Sequence, residues 1–230
     1  MKEKKSKYFN FNQHHKINNV SISDYNGWNS LLVVKLSMKK NDFIDDKKIN
    51  EQYPDLQRKQ KIFVVTKGQI KLEFKKEIFT MSEYDSVDFI RGDENYKIQS
   101  SENSTIYMVS AKDLGPEEDK PIFFNFKKNI ESKNLWGGKI ISRPYDGKGI
   151  TLVLFDLKKG FEFEDKGHAN EQITWLISGE MNFYANKEHK TLNSDLGVDI
   201  GPFHVHGGVS KGAIGFDVFF PKRREVSYKN

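Results

Sequence analysis

The chain has 230 residues, with 37% hydrophobic and 30% charged side chains, a net charge of +5 and no cysteine. That length holds one large β domain or two small ones, and the lack of thiols excludes disulfides, thiolate metal sites and cysteine nucleophiles, which fits a cytoplasmic protein. No apolar run approaches the ~20 residues of a membrane helix, and the lysines alternate with acids, as in Lys39-Lys40-Asn41-Asp42, so neither membrane nor nucleic acid is expected as a partner.

Met1-Lys2-Glu3-Lys4-Lys5 is charged and no apolar stretch follows it, unlike a secretory signal. Residues 1–16 read as a basic tail, or as an edge strand through Tyr8-Phe9-Asn10-Phe11. His14-His15 reads as surface, because neighbours on a strand face opposite ways. From Val20 the text turns β-like. Residues 31–36 are strand-like, 41–59 read as a long polar loop, and 61–66 form a β-branched and aromatic run stopped by Lys67-Gly68. Residues 69–74 alternate apolar and polar, as a half-buried strand does, and 86–90 and 105–109 continue the series. Short strands separated by turns point to a sandwich or barrel. The acidic, twice proline-bearing stretch 113–121 is the linker candidate. A second β series begins near Lys139 and runs through 150–157.

The two halves repeat each other. Lys61-Ile62-Phe63-Val64-Val65-Thr66-Lys67-Gly68 aligns with Gln172-Ile173-Thr174-Trp175-Leu176-Ile177-Ser178-Gly179. Val87-Asp88-Phe89 aligns with Val198-Asp199-Ile200, at a spacing of roughly 110 residues. The expected organisation is a tail (1–16), an N-terminal barrel (17–114), a bridging segment (115–136) and a C-terminal barrel (137–230).

Residues 160–208 read as the site, since four of the six histidines lie between 168 and 206. Histidines and a side-chain amide or carboxylate, gathered from adjacent strands, are what a first-row divalent metal needs. Gly160, His168, Gln172 and Gly179, followed by Asp199-Ile200-Gly201-Pro202 and His206, resemble the two motifs of the cupin superfamily. Those proteins are double-stranded β-helix (jelly-roll) barrels that hold a metal in the barrel mouth. The two-barrel layout, Asn170-Glu171-Gln172-Ile173 and the ending Phe219-Phe220-Pro221 are similar to the bicupin isomerases of bacilysin biosynthesis. The resemblance implies an all-β fold of two jelly-roll cupin barrels in tandem. It also implies a divalent transition metal (Mn, Fe, Co, Ni, Cu or Zn) on His168, Gln172 and His206, and often a homodimer paired through barrel edges.

On an extended segment His168 and Gln172 share a face, and His206 arrives from a paired strand after the Pro202 turn. One position departs from the motif. Lys166 stands where a first histidine is expected, and an ammonium repels a divalent ion. A fourth ligand would come from Glu162, Glu164 or Asp165, and strand parity favours Glu164. Lys166 then suits an anionic substrate group, and Glu162 or Glu164 a proton-transfer role. His204 reads as a rim or supporting histidine, His189 as a hairpin tip, Trp175 as core, and Arg223-Arg224 as a solvated tail. In the first half the same register places Gln57, Lys61 and Asn95 at the site positions, which is no metal set. Phosphate loops, Gly-x-Ser-x-Gly and HExxH are absent.

Two functions follow. One is a metal-dependent enzyme of isomerase, oxygenase, decarboxylase or lyase type acting on a small polar or anionic molecule. The other is a metal-free bicupin that binds a sugar or small acid without catalysis.

Overall fold

The computed structural model describes residues 6–11, 14–28, 31–56, 59–89, 95–111, 120–194 and 196–223. The expected linker, 113–121, lies almost entirely outside them. The chain divides into two compact units, one of Asn12–Asn26 and Ser30–Asn129, the other of Met1–Phe11, Gly27–Asn29 and Ile130–Asn230. Both are antiparallel β structures, as expected, and no helix among the described residues is long and apolar enough to cross a membrane.

The first unit has a seven-stranded sheet, ordered Ile122–Asn125, Asp85–Phe89, Lys61–Lys67, Ser104–Ala111, Leu31–Met38, Val20–Asn26 and His15–Ile17. Its four-stranded sheet runs Phe43–Asp45, Tyr96–Ser100, Ile70–Phe74, Glu77–Met81. Strand Ile70–Phe74 alternates buried and exposed residues, as its sequence predicts. The inward residues of both sheets, among them Val34, Phe63, Val65, Leu72, Ile98 and Met108, make one core. The long loop expected at 41–59 is interrupted by a helix, Asp46–Gln52. Asp45 caps it by accepting from the Lys48 N–H, and Ile49 anchors it by burial. Seven residues with a single buried apolar position are too short for helical periodicity to show.

The second unit is built on two strands of 15 residues, Glu171–Ala185 and His206–Phe220, paired along their length. The register shifts between Leu176 and Ser178 and again between Gly179 and Met181. Bulges bend and twist a strand, so each long strand serves both faces of the barrel. Flanking pairs extend the sheet through Thr151–Leu157 and Ile140–Asp146 on one side and Leu196–Ile200 on the other. Lys7–Asn10, within the expected tail, forms the edge strand, with Tyr8 opposite Val198. The core includes Phe155, Leu176, Met181, Phe183 and Ile200.

The repeat is visible in the geometry. Gly179 has φ +77°, and a Cβ there would collide with the Gly212 carbonyl. Gly68, its counterpart, also has φ +77°, and a Cβ there would lie 2.5 Å from the Asn103 oxygen. Each glycine sits where another stretch of backbone passes too close for a side chain. Trp175 is fully buried and stacks on Phe216, so it is core as expected. His189 is exposed, just past the Asn186-Lys187 turn.

Candidate metal centre

The site is assembled from three pieces of the second unit. Strand Glu162–Asp165 pairs with the start of His206–Phe220, which sets Asp165 directly opposite His206. The chain then turns at Gly167 (φ +96°), whose N–H donates to Asp165 Oδ1 at 2.8 Å. A Cβ on Gly167 would lie 2.6 Å from the Phe203 carbonyl carbon, so glycine is required by both space and conformation. The Phe203 N–H donates to the His168 carbonyl at 2.7 Å, and this bond ties the histidine-bearing loop to the Pro202 turn. As a result Asp165, His168 and His206 bring one ligand atom each within 4.8 Å of one another. The two imidazole rings are nearly perpendicular, with centroids 5.5 Å apart.

Hydrogen bonds decide which nitrogen each histidine presents. His206 Nδ1 donates to the His204 carbonyl at 2.9 Å, which leaves the Nε2 lone pair free. His168 Nε2 lies 2.8 Å from Gln172 Oε1. The Gln172 amide nitrogen donates to Thr174 Oγ1 (2.9 Å) and Asp217 Oδ1 (3.0 Å), and the Thr174 hydroxyl donates to the same carboxylate oxygen (2.6 Å). An acceptor-rich carboxylate thus holds the NH₂ of Gln172, so the amide oxygen must face His168 and take its Nε2 proton. His168 Nδ1 then carries the lone pair, and it is buried with no hydrogen-bond partner. An orphaned buried imidazole nitrogen costs free energy unless something fills it.

Electrostatics agree with this picture. Burial first, then the Arg223 charge, pushes the His168 imidazolium down to about 4, and burial lowers that of His206 as well. Both rings are therefore neutral near pH 7, the form that binds metals. Burial alone would raise Asp165. The charge on His206, the Gly167 N–H and Arg223 outweigh it and hold the carboxyl below its usual value. Asp217 goes the other way, pushed up to about 6 by burial. Asp165 and His206 line a cavity of about 440 Å³, with Gln172 and Asp217 on the same lining. Two imidazoles, a carboxylate and open positions fit a divalent first-row metal.

His168 and His206 come together as the sequence indicates. Gln172 lies beside His168, with its Oε1 2.8 Å from Nε2, and lines the same cavity as Asp165 and His206. Lys166 is exposed and lines the cavity. Glu164 also lines it, opposite Gly207, and accepts from the Tyr184 hydroxyl at 2.8 Å. Asp165, the acid that parity ranked behind Glu164, is the one near the histidines. The strand ends at Asp165 and Gly167 turns left-handed, so His168 is out of phase with the strand before it. Arg223 is not a solvated tail residue. Its side chain is 15% exposed, lies 5.2 Å over the Phe219 ring and donates to Asp165 Oδ2 at 3.2 Å. Arg224 falls outside the described residues. His204 supports the site, with Nδ1 2.8 Å from Ser6 Oγ and its carbonyl fixing His206. Asp217 and Ser6 were not anticipated. The signal for Asp217 was a lone acid in Phe216-Asp217-Val218-Phe219-Phe220.

In the first unit Lys61 is buried, Asn95 is exposed and Gln57 lies outside the described residues. Among the described residues, Asp165, His168 and His206 are the one cluster of three histidine or acidic side chains close enough to share a metal.

No protein-family model matches the sequence, and no curated protein does. Solved structures resemble it over nearly its full length. A putative glyoxylate-induced protein from Pseudomonas aeruginosa superposes with a TM-score of 0.77 at 9% identity, covering 100% of this chain and 94% of its own. A cupin 2 conserved barrel domain protein from Leptotrichia buccalis gives 0.64 at 15% identity, covering 96% and 99%. Bacillus subtilis oxalate decarboxylase, described with Mn(II) centres, gives 0.70 at 10% identity, covering 95% and 78%. At such identities the likeness is one of fold, and that fold is a cupin fold of two barrels.

Proposed function

We propose that the protein is a metal-dependent cupin enzyme whose C-terminal barrel holds a divalent transition ion on Asp165, His168 and His206 and acts on a small polar or anionic molecule. The observation that carries this reading is the pair of fixed tautomers. Each imidazole commits one nitrogen to a hydrogen bond within the chain, His168 Nδ1 is buried without a partner, and one ligand atom of each histidine and of Asp165 lies within 4.8 Å of the others. Metal-ligating histidines are oriented by outer hydrogen bonds in this way. The Mn(II) centres of the structurally similar oxalate decarboxylase support manganese among the candidates (Mn, Fe, Co, Ni, Cu or Zn).

Such an ion supplies Lewis-acid polarisation of a substrate oxygen or a binding position for O₂. The chain's own residues do the rest. Gln172 holds His168 in place. Asp217, with a carboxyl that exchanges its proton near neutrality, lines the cavity floor and can give or take a proton there. Phe163 and Phe219 keep bulk water from one wall. Isomerase, oxygenase, decarboxylase and lyase chemistry all fit these parts. The non-catalytic alternative, a small-acid binding barrel without metal, is favoured by Lys166 and Arg223, two cations on the cavity lining.

Elemental analysis of protein purified without added metal separates the two. The enzyme reading expects close to one transition ion per chain, reduced at least tenfold in His206→Ala and Asp165→Ala. If no ion is found, and added Mn²⁺, Fe²⁺, Ni²⁺ or Zn²⁺ neither binds nor raises the melting temperature, the binding-barrel reading replaces it.

A further inference from the structure

The first unit has a cavity of its own, of about 570 Å³, on the face of its seven-stranded sheet turned away from the core. Strand pairing lays out the floor. Lys16 stands opposite Ser21, Ser21 opposite Ser37, Ser37 opposite Thr105, and Thr105 opposite Lys67, so one polar row crosses five adjacent strands. Ile22, Leu36 and Ile106, each next in sequence to one of these residues, belong to the core, so Ser21, Ser37 and Thr105 take the other face. Lys67 joins them through a bulge. Alternation from Phe63 and Val65 would send it inward, but the register shift between Thr105 and Ile106 sets it opposite Thr105. Asn19, Lys39 and Asn103, each two residues from a member of the row, line the same cavity. Asp42, the acid among the described lining residues, accepts from the Lys39 backbone N–H at 2.7 Å. Among the described residues, Lys16, Lys39 and Lys67 have no ion-pair partner, and the hydroxyls of Ser21, Ser37 and Thr105 have no hydrogen-bond partner.

We propose that this cavity binds a small polyhydroxy molecule with a phosphate group at each end, of the hexose bisphosphate class. Four strand-to-strand steps of ~4.8 Å put the backbones of Lys16 and Lys67 about 19 Å apart, so the two cations serve separate anionic groups. A lysine ammonium is a point charge with three rotatable donors, which suits a phosphate oxygen in many orientations. Among the described lining residues there is no arginine fork for a planar carboxylate. Between the charged ends, the hydroxyls of Ser21, Ser37 and Thr105 and the amides of Asn19 and Asn103 can donate to and accept from ligand hydroxyls. The described lining offers no exposed apolar side chain for a protein partner to bury, and a volume of about 570 Å³ is that of a small-molecule site. The described lining residues all belong to the first unit, so the proposal is independent of the metal centre.

Fructose 1,6-bisphosphate, fructose and inorganic phosphate are suitable probes, each titrated calorimetrically into the purified protein and into His206→Ala. The bisphosphate should bind at least tenfold more tightly than phosphate, with the same affinity in His206→Ala, and fructose should bind more weakly than either. Lys16→Met and Lys67→Met should each weaken the bisphosphate at least fivefold with the melting temperature unchanged. Ser37→Ala combined with Thr105→Val should weaken it at least threefold and leave phosphate within twofold. Lys71, exposed on the four-stranded sheet of the same unit, controls for overall charge, and Lys71→Met should change affinity less than twofold. No binding of the bisphosphate, equal binding of phosphate and bisphosphate, or an equal loss in Lys71→Met would each reduce the cavity to a basic surface and overturn the proposal. Binding that disappears in His206→Ala would overturn it as well, by seating the ligand on the metal centre.

Discussion

Gln172 joins two groups whose protonation pulls stability in opposite directions. His168, pushed from 6.5 down to about 4, is neutral in the folded chain where the unfolded chain would be protonated. Its contribution is complete above pH 6.5 and is lost as pH falls toward 4. Asp217, raised from 3.8 to about 6, is protonated in the folded chain where the unfolded chain would be ionised. Its contribution is complete below pH 3.8 and is lost as pH rises through 6. Between these values the two slopes oppose each other. Asp217→Asn keeps an oxygen for Thr174 and Gln172 and removes one titration. In chelator-treated protein this variant should gain stability from pH 4 to 6.5, on the order of 2 kcal/mol at ~1.4 kcal/mol per unit, while the parent stays nearly level. Urea denaturation at a series of pH values reads both curves, and coincident curves would show that Asp217 is ordinarily ionised. At this scale the histidines were legible in the sequence because motif spacing carries them. Asp165 was not, since its alignment depends on the Gly167 turn, and Arg223 was not, since nothing local distinguishes a tail arginine from one folded back over a phenylalanine.

The two 15-residue strands depend on where they can cross. Gly179 has positive φ and no room for a methyl group, whereas Gly160 has positive φ (+79°) with nothing within 4 Å of an added Cβ. Alanine at Gly160 therefore meets backbone strain alone, costing about 1 kcal/mol. Alanine at Gly179 meets the same strain and also forces the Gly212 carbonyl away, which should bring the cost to about 3 kcal/mol or more. Thermal or urea unfolding of the two variants measures the difference. Equal destabilisation would mean that the strands can separate there at no cost. The repeat was legible because turn chemistry and strand runs recur together around Gly68 and Gly179. What the text could not show is that residues 171–185 continue as one strand through the glycine, because a bulge is a matter of pairing register and leaves no local signal. The helix Asp46–Gln52 escaped for a related reason, since its cap and one buried isoleucine lie within a run of charges.

Among the described residues, one buried cluster includes Phe63, Val65, Ile98 and Met108, and another includes Phe155, Leu176, Phe183 and Ile200. All three candidate ligands belong to the second unit. A ligand stabilises whatever cooperative unit must be folded to bind it, by about 2.7 kcal/mol at a concentration one hundred times its dissociation constant. If the units open independently, that free energy stays in one of them. Hydrogen exchange with and without Zn²⁺ tests this on the intact chain. Amides of Glu171–Ala185 and His206–Phe220 should exchange up to about 100-fold more slowly with metal, the factor that 2.7 kcal/mol represents. Amides of Lys61–Lys67 and Ser104–Ala111 should be unchanged, and His206→Ala should abolish the difference. Equal slowing in both sets of strands would mean that the two units open as one. Slowing confined to the first unit would place the ion away from Asp165, His168 and His206 altogether, since none of these residues contributes to that core.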